Sequence, residues 1–563
     1  MWSNIFSYTF QNSRNQYKNL GGFILLLITV STCNGQTILT PTANYVETEI
    51  APGQSFQISV SGSPTGTGYV LVQAHAYQQN VTLSADSALT PGQFTKGQNV
   101  GLVLISPAAS AYLKNDNNET VPVLLVAQFY NVNAPIPGGC NMELSIKTAP
   151  FLPTSFNKDV LTVEYPLGSW PLNVKPATCD RAPLQYDIYE YYIQERDLTL
   201  RTAFDSIRLM SNMTAIEHNG KKVTFSGSPP SKVKFANYPG TGRVVAVILR
   251  TLTSSAAYTP TLSYGCYTTP TPDSSDEDEE SCQIMTSVGA KLLNAGLLFV
   301  GLFLISVGHR FYKCQLFLLG FCMSAILFYI ILERVISVGS TVAGTSSTTV
   351  GALGGALWLA LWSKFGSPMA PVLLAALLLG SLFSSTVAYT PLGDIPLLKD
   401  DLTFWLAYIC VTLAVPLSII SFAQLTSIAV TSILGAYFFI IPIDHYIGSN
   451  LKFIALNTIR RATNSEFGTA IVDPTFQWKD LVLTIVWIIL SAVGILFQLW
   501  RERGRAPFPP PPPSHHRHSL PSVSVVSRSS SLYTQDDDGV SSVGVIGGPV
   551  EEQATESSPL LKT

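Results

Sequence analysis

Charge is scarce in this chain. Asp, Glu, Lys and Arg together make up 12% of its 563 residues, about half the share in a typical soluble globular protein. Histidine is rarer still, at seven residues, three of which (His515, His516 and His518) crowd near the C-terminus. Few imidazoles therefore remain for a zinc centre or a general base. The chain has no C-x-x-C pair, H-E-x-x-H helix, G-x-S-x-G elbow or phosphate-cradling glycine loop, so the common zinc, serine-hydrolase and nucleotide-binding signatures are excluded. A formal net charge of -3 offers no basic field for nucleic acid.

What the chain has in abundance is apolar sequence, with 47% hydrophobic residues. Seven apolar runs, near residues 288–307, 316–332, 349–362, 369–388, 402–420, 425–443 and 481–500, approach the length needed to cross a bilayer. The third is diluted by small residues. This pattern predicts a membrane protein: an N-terminal all-β ectodomain, sandwich or jelly-roll-like and in two modules, then a seven-helix transmembrane bundle and a disordered C-terminal tail. The expected divisions are a signal peptide at 1–35, β-sandwich modules at 36–155 and 156–270, an acidic stalk at 271–287, the bundle at 288–500 and a cytosolic tail at 501–563.

At the amino terminus Arg14 and Lys18 precede an apolar core at 21–30 and the sequence Cys33-Asn34-Gly35. Cleavage after Gly35 is expected, because that core is too short for an anchor. Secretory entry implies an oxidising compartment. Cys140, Cys179, Cys266 and Cys282 then suit two disulfides in any of three connectivities; the shorter loops favour Cys140 with Cys179 and Cys266 with Cys282. The sequons at Asn80, Asn118 and Asn212 all fall in this region and predict N-glycosylation.

Alternating runs at 56–60, 69–77, 81–85, 100–105, 121–130, 142–146 and 160–165, separated by Pro/Gly turns, read as an antiparallel sandwich. Further strands are expected at 184–193, 222–225, 233–236 and 243–249, with one amphipathic helix at 197–210. Tyr186, Tyr189, Tyr191 and Tyr192 read as a strand with tyrosines on both faces rather than as a ligand groove. The run Asp276 to Glu280 lacks the ligand spacing of a calcium loop and reads as solvated.

Basic residues at Arg310, Lys313, Lys364, Arg501, Arg503 and Arg505 set the orientation, with the amino terminus outside and the carboxyl terminus cytosolic. The sixth loop is the exception, because Lys452, Arg460 and Arg461 would face outward. Its residues Leu451, Ile454, Ala455 and Ile459 predict an amphipathic segment at the outer interface. The spans otherwise contain almost no ionisable residue, which predicts an electrically silent core. Gly351 and Gly355 form a small-residue step for helix packing within the bundle.

In the tail, Pro507 and the run Pro509 to Pro513 favour a polyproline helix, open to SH3 or WW domains or serving as a spacer. Glu556 with Leu560 and Leu561 matches an acidic dileucine sorting signal for a clathrin adaptor. The tail histidines lack a closed ligand set, so no metal or other cofactor is expected.

Several stretches resemble the transmembrane 7 superfamily member 3 family: Pro137-Gly138-Gly139-Cys140-Asn141, Leu184-Gln185-Tyr186-Asp187-Ile188-Tyr189, Gly308-His309-Arg310-Phe311, Thr390-Pro391-Leu392-Gly393 and Arg501-Glu502-Arg503-Gly504-Arg505. The resemblance implies a pro-survival role that attenuates endoplasmic-reticulum stress, the unfolded-protein response and stress-induced cell death, and promotes hormone release in secretory cells. It carries no catalytic residues.

The expectation is thus a non-enzymatic membrane protein of the secretory pathway, placed first at the plasma membrane and otherwise in endolysosomal or endoplasmic-reticulum membrane. Its partners would be the bilayer and a protein or lipid ligand at the ectodomain, with no nucleic acid. The competing readings are a G-protein-coupled-receptor-like signalling protein, a membrane hydrolase and a channel. Against the receptor, the third span ends Trp362-Ser363-Lys364-Phe365 rather than in an Asp-Arg-Tyr motif.

Overall fold

The computed structural model describes residues 36–89, 94–105, 110–140, 150–171, 184–224, 231–266, 282, 288–336, 340–365, 369–419, 421–472 and 477–503. The signal peptide, the strand expected at 142–146, Cys179, the acidic run 276–280 and the tail motifs at Pro507 to Pro513 and Glu556, Leu560 and Leu561 lie outside the described residues.

Among the described residues, the first β-domain contains nine strands: β1 (Gln36–Leu39), β2 (Tyr45–Ile50), β3 (Ser55–Val60), β4 (Thr67–Ala76), β5 (Val81–Ser84), β6 (Phe94–Gly97), β7 (Asn99–Leu104), β8 (Ser110–Lys114) and β9 (Val121–Asn131). They form two sheets, in the orders β1-β3-β8-β5-β6 and β2-β9-β4-β7. All pairs are antiparallel but one. β1 runs parallel to β3, with Gln36 opposite Gln57, a departure from the expected all-antiparallel sandwich.

The second β-domain holds β10 (Thr154–Phe156), β11 (Val160–Glu164), β12 (Gln185–Tyr192), β13 (Lys221–Val223), β14 (Lys232–Ala236), β15 (Arg243–Arg250), β16 (Ser255–Ala257) and β17 (Thr261–Ser263). One sheet is β10-β11-β14; the other is β13-β12-β15-β16 with β17 also on β15. The division expected at residue 155 falls inside β10, and Phe151 already bridges Thr259, so the chain enters this domain earlier than composition suggested. Two helices, not one, follow β12: α1 (Leu200–Leu209), capped by Thr199, and α2 (Met213–Asn219), capped by the sequon residue Asn212.

The continuous apolar runs of β9 and β15 follow from burial on both faces. On β9, Val121, Val123, Leu125 and Ala127 fill the first sandwich, while Leu124 and Val126 face the second domain and α1. On β15, Val244, Ala246 and Ile248 join that same inter-domain core, and Val245, Val247 and Leu249 fill the interior of the second domain. The β12 tyrosines divide likewise: Tyr186 lies in one core, and Tyr189 and Tyr191 lie against the other.

The helical region comprises α3 (Val288–Val307), α4 (Tyr312–Val335), α5 (Ser340–Phe365), α6 (Met369–Tyr389), α7 (Asp401–Ile419), α8 (Ala423–Ile447), a short α9 (Phe453–Thr463) and α10 (Trp478–Glu502). Among the described residues, α4, α6, α7, α8 and α10 are long and apolar enough to cross a membrane, and residues 291–307 of α3 form a shorter apolar helix. Of these, α8 is the most buried, with 67% of its apolar window inside the protein, which makes it the bundle's central helix.

Glycines permit the close helix contacts. A Cβ on Gly301 of α3 would lie 2.5 Å from the Phe439 nitrogen of α8. Gly355 and Gly351 of α5 lie against Phe317 and Phe321 of α4, and a Cβ at Gly355 would stand 2.7 Å from the Phe317 carbonyl oxygen. Trading side chains for backbone proximity is how helices associate where lipid offers no hydrophobic drive between them.

Candidate functional site: a charged seam between the β-domains and the bundle

The segment between α8 and α10 is where the two halves of the molecule meet. α8 ends at Gly448, whose φ of +74° closes the helix in the left-handed conformation. Residues 449–452 then fold back over two buried carboxylates. Asp444 accepts from the Leu451 and Lys452 nitrogens, each at 3.1 Å. Asp480, in the first turn of α10, accepts from the Ser449 hydroxyl at 2.5 Å, the Asn450 nitrogen at 2.7 Å and the Gln477 nitrogen at 2.8 Å. Buried anions are tolerated when backbone donors satisfy them, and here both act as clamps on a turn.

The second β-domain reaches into this turn with Glu195 and Arg196. Glu195 is paired with the Lys452 ammonium at 2.7 Å, and the Asp444 carboxylate lies 3.8 Å from the same ammonium. Arg196, in the left-handed region at φ +70°, donates to the Tyr446 carbonyl at 2.6 Å and to the His445 carbonyl, two of the last carbonyls of α8 that its own helix leaves unpaired.

One helical turn farther on, α9 carries the seam across. Phe453 packs edge-on against Tyr238, with centroids 4.5 Å apart, and shares a core with Val160, Ala236, Phe467 and Ala470. Arg460 donates to the Asn237 carbonyl at 2.6 Å and pairs with Asp159 at 3.1 Å. Arg461 turns the other way. It stacks on Phe404 of α7 at 3.7 Å and bonds the Leu398 carbonyl and Asp401. Burial lowers the Arg461 pKa while Asp401 raises it in part. Past α9 the main chain joins the domain itself: Ile471 bridges Phe235 in parallel, its nitrogen donating to the Lys234 carbonyl at 2.9 Å and its carbonyl accepting from Ala236 at 3.0 Å.

Two expectations change here. The amphipathic segment expected to lie on the membrane interface is α9, but it is clasped between bundle and β-domain, because its polar face finds carboxylates there. Charge is also buried at the ends of the spans, one residue beyond the limits read from hydropathy: Asp444 and Asp480 are 0% and 1% exposed. The helices extend past the limits read from hydropathy and carry these charges in their last and first turns.

The opposite end of the bundle is polar, and there His309 feels the charge of Glu502. His309 Nδ1 lies 3.0 Å from the Ser427 hydroxyl, and Gln498 donates to the Leu304 and Ile305 carbonyls at 2.9 and 2.8 Å. His309 and His445 stand at opposite ends, and no group of three metal-ligating side chains occurs among the described residues. Arg310, Lys313, Lys364, Arg501 and Arg503 gather at the His309 end, where Lys313 approaches Trp362 at 5.9 Å.

Of the other sequence-predicted residues, Cys266 is bonded to Cys282, tying the segment before α3 back to the second domain. Cys140 is disulfide-bonded, and its expected partner lies outside the described residues. Asn80 and Asn118 are exposed in turns of the first domain. The seam itself was missed, although its signal stood in the sequence as an excess of basic residues in a loop on the ectodomain's side. Unneutralised cations in such a loop imply carboxylate partners elsewhere in the chain.

Residues 36–130 match the family model of a TM7SF3-like N-terminal immunoglobulin-like domain, 135–269 that of a TM7SF3-like second immunoglobulin-like domain, and 294–499 that of a TM7S3/TM198-like domain. Identity to transmembrane 7 superfamily member 3 of Rattus norvegicus is 32% over 462 residues, covering 78% of this chain and 80% of the relative. For the Homo sapiens protein of that name it is 31% over 458 residues, covering 78% and 79%. The Mus musculus protein gives 30% over 486 residues, covering 83% and 84%.

The chain belongs to the transmembrane 7 superfamily member 3 family. As in the matched family models, its β-region is a pair of immunoglobulin-like domains, and its helical region is the membrane part. In this family member the seam between them is made by the end of α8 and the loop after it, residues 444–472, acting on residues of the second immunoglobulin-like domain from Asp159 to Tyr238.

Proposed function

We propose that this family member is a non-enzymatic, seven-span recognition protein of the secretory pathway. Its two immunoglobulin-like domains lie outside, glycosylated and disulfide-bonded after signal-peptide cleavage, and bind a protein or lipid. The cytosolic tail, with its polyproline run and dileucine signal, localises it. Following the family resemblance, its cellular role is to attenuate endoplasmic-reticulum stress, the unfolded-protein response and stress-induced death, with promotion of hormone release in secretory cells. The seam gives this reading its mechanism, since a ligand that tilts the second domain must move α9 and the ends of α8 and α10.

The observation that carries the reading is the pairing of Lys452 and Arg460 with Glu195 and Asp159. It accounts for basic residues in a loop on the β-domain side, leaving the cluster at the far end as the cytosolic face. The test is proximity labelling with separate fusions to the first domain and to the tail, together with an unfolded-protein-response reporter in cells lacking the protein. Lumenal or surface neighbours for the first fusion, cytosolic neighbours for the second and a reporter raised until the wild-type chain is restored are expected. Cytosolic neighbours for the first fusion would overturn the orientation; an unchanged reporter would overturn the stress role.

A further inference from the structure

A cleft of about 260 Å³ lies between the two immunoglobulin-like domains, walled by residues that include Tyr77, Gln78, Asn80, Gln98, Phe204 and Tyr264. Among the described residues no charged side chain lines it. Amides and phenols over an apolar floor form a surface suited to a neutral, many-hydroxylated ligand, which offers hydrogen-bonding groups at its edge and C–H bonds on its face. Its volume lies below the ~300–1,000 Å³ usual for drug-sized ligands, a size that suits one sugar ring.

Two further features mark the cleft as built for an occupant. Tyr264 is 8% exposed, and its buried hydroxyl has no hydrogen-bond partner among the described residues; a buried donor left without a partner is costly. Burial and the neighbouring Tyr77 raise its pKa, so the hydroxyl keeps its proton. Gln78, in the wall, takes φ +62°, a conformation that costs a residue with a side chain energy and is kept where the surroundings demand it.

We propose that this cleft seats the first N-acetylhexosamine of a glycan on Asn80, whose own residue forms part of the rim. Covalent attachment replaces affinity by proximity, so contacts far too weak to capture a free sugar suffice. The seated ring spans both domains, meeting Gln78 and Gln98 of the first and Tyr264 of the second, and fixes the angle between them. The inference rests on the outward placement of the domains proposed above.

The test uses the full chain made in secretory cells, purified in detergent and treated under native conditions with a peptide N-glycosidase, with each site followed by mass spectrometry. Release from Asn80 is expected to be about tenfold slower than from Asn118, as for a group that must open locally before it reacts. Tyr264→Phe and Gln98→Ala are each expected to bring Asn80 towards the Asn118 rate and leave Asn118 unchanged. Equal rates in the wild type, a slow rate that neither variant alters, or an unmodified Asn80 beside a glycosylated Asn118 would overturn the inference and leave the orientation standing. If all three sequons are unmodified, the orientation falls and takes the inference with it.

Discussion

Lys452 and Glu195, 257 residues apart in sequence, meet at 2.7 Å with 18% and 5% of their side chains exposed. One belongs to the membrane region and the other to the second immunoglobulin-like domain. Their pairing makes the two a single mechanical unit, because neither charge can separate from the other without being left poorly solvated.

Removing one partner therefore costs more than the pair contributes. Glu195→Ala or Lys452→Ala is expected to lower stability by roughly 3 kcal/mol each, by stranding a buried charge. The double variant Glu195→Gln with Lys452→Met should recover part of that loss, the remainder reflecting Asp444, which lies 3.8 Å from the Lys452 ammonium and also loses its cation. Thermal unfolding of the detergent-purified chain checks this, and strictly additive losses would show that the residues do not interact.

Arg461 is the position where a conservative change should fail. Its guanidinium sits 3.7 Å over the Phe404 ring while bonding Asp401 and a carbonyl, and an ammonium cannot do both. Arg461→Lys is expected to cost about 1–2 kcal/mol through lost stacking and hydrogen bonds. The change should appear as faster hydrogen exchange in α9 and at the start of α7.

Acid sensitivity of the first domain should trace to His75. It is fully buried between Gln73 and Asn99, and burial pushes its pKa down to about 4 from 6.5. The unfolded chain takes up a proton near 6.5 and the folded one resists until about 4, so stability is whole above pH 6.5, falls between 6.5 and 4, and levels below. The loss is on the order of 3 kcal/mol. His75→Gln should flatten the stability profile in that window, measured by denaturant unfolding at stepped pH.

Gly355 tests the helix contact. With only 2.7 Å between its missing Cβ and the Phe317 carbonyl oxygen, Gly355→Leu is expected to push α4 and α5 apart and cost about 1–3 kcal/mol. Cysteines introduced across the pair should crosslink less readily in the variant.

Much of this protein is legible residue by residue. Alternation placed β3, β4, β5, β7, β9, β11, β12, β13, β14 and β15, while the short or polar strands β1, β2, β6, β8, β10, β16 and β17 escaped, since runs such as Phe94–Gly97 carry too few apolar residues to show a period. The pair Cys266–Cys282 followed from the oxidising context and a short loop. Hydropathy located the helices because burial in lipid is a property of each segment alone. It clipped α8 before Asp444 and α10 after Asp480, because a buried carboxylate held by backbone donors has no local signature.

The sequence by itself determined the class of the molecule, β-domains followed by a membrane bundle, since alternation and apolar length are local quantities. Only the tertiary structure decided that Glu195, Asp159 and Lys234 belong with Lys452, Arg460 and Ile471. Those pairings join residues hundreds of positions apart, and their energies exist only once both partners have been brought out of water together.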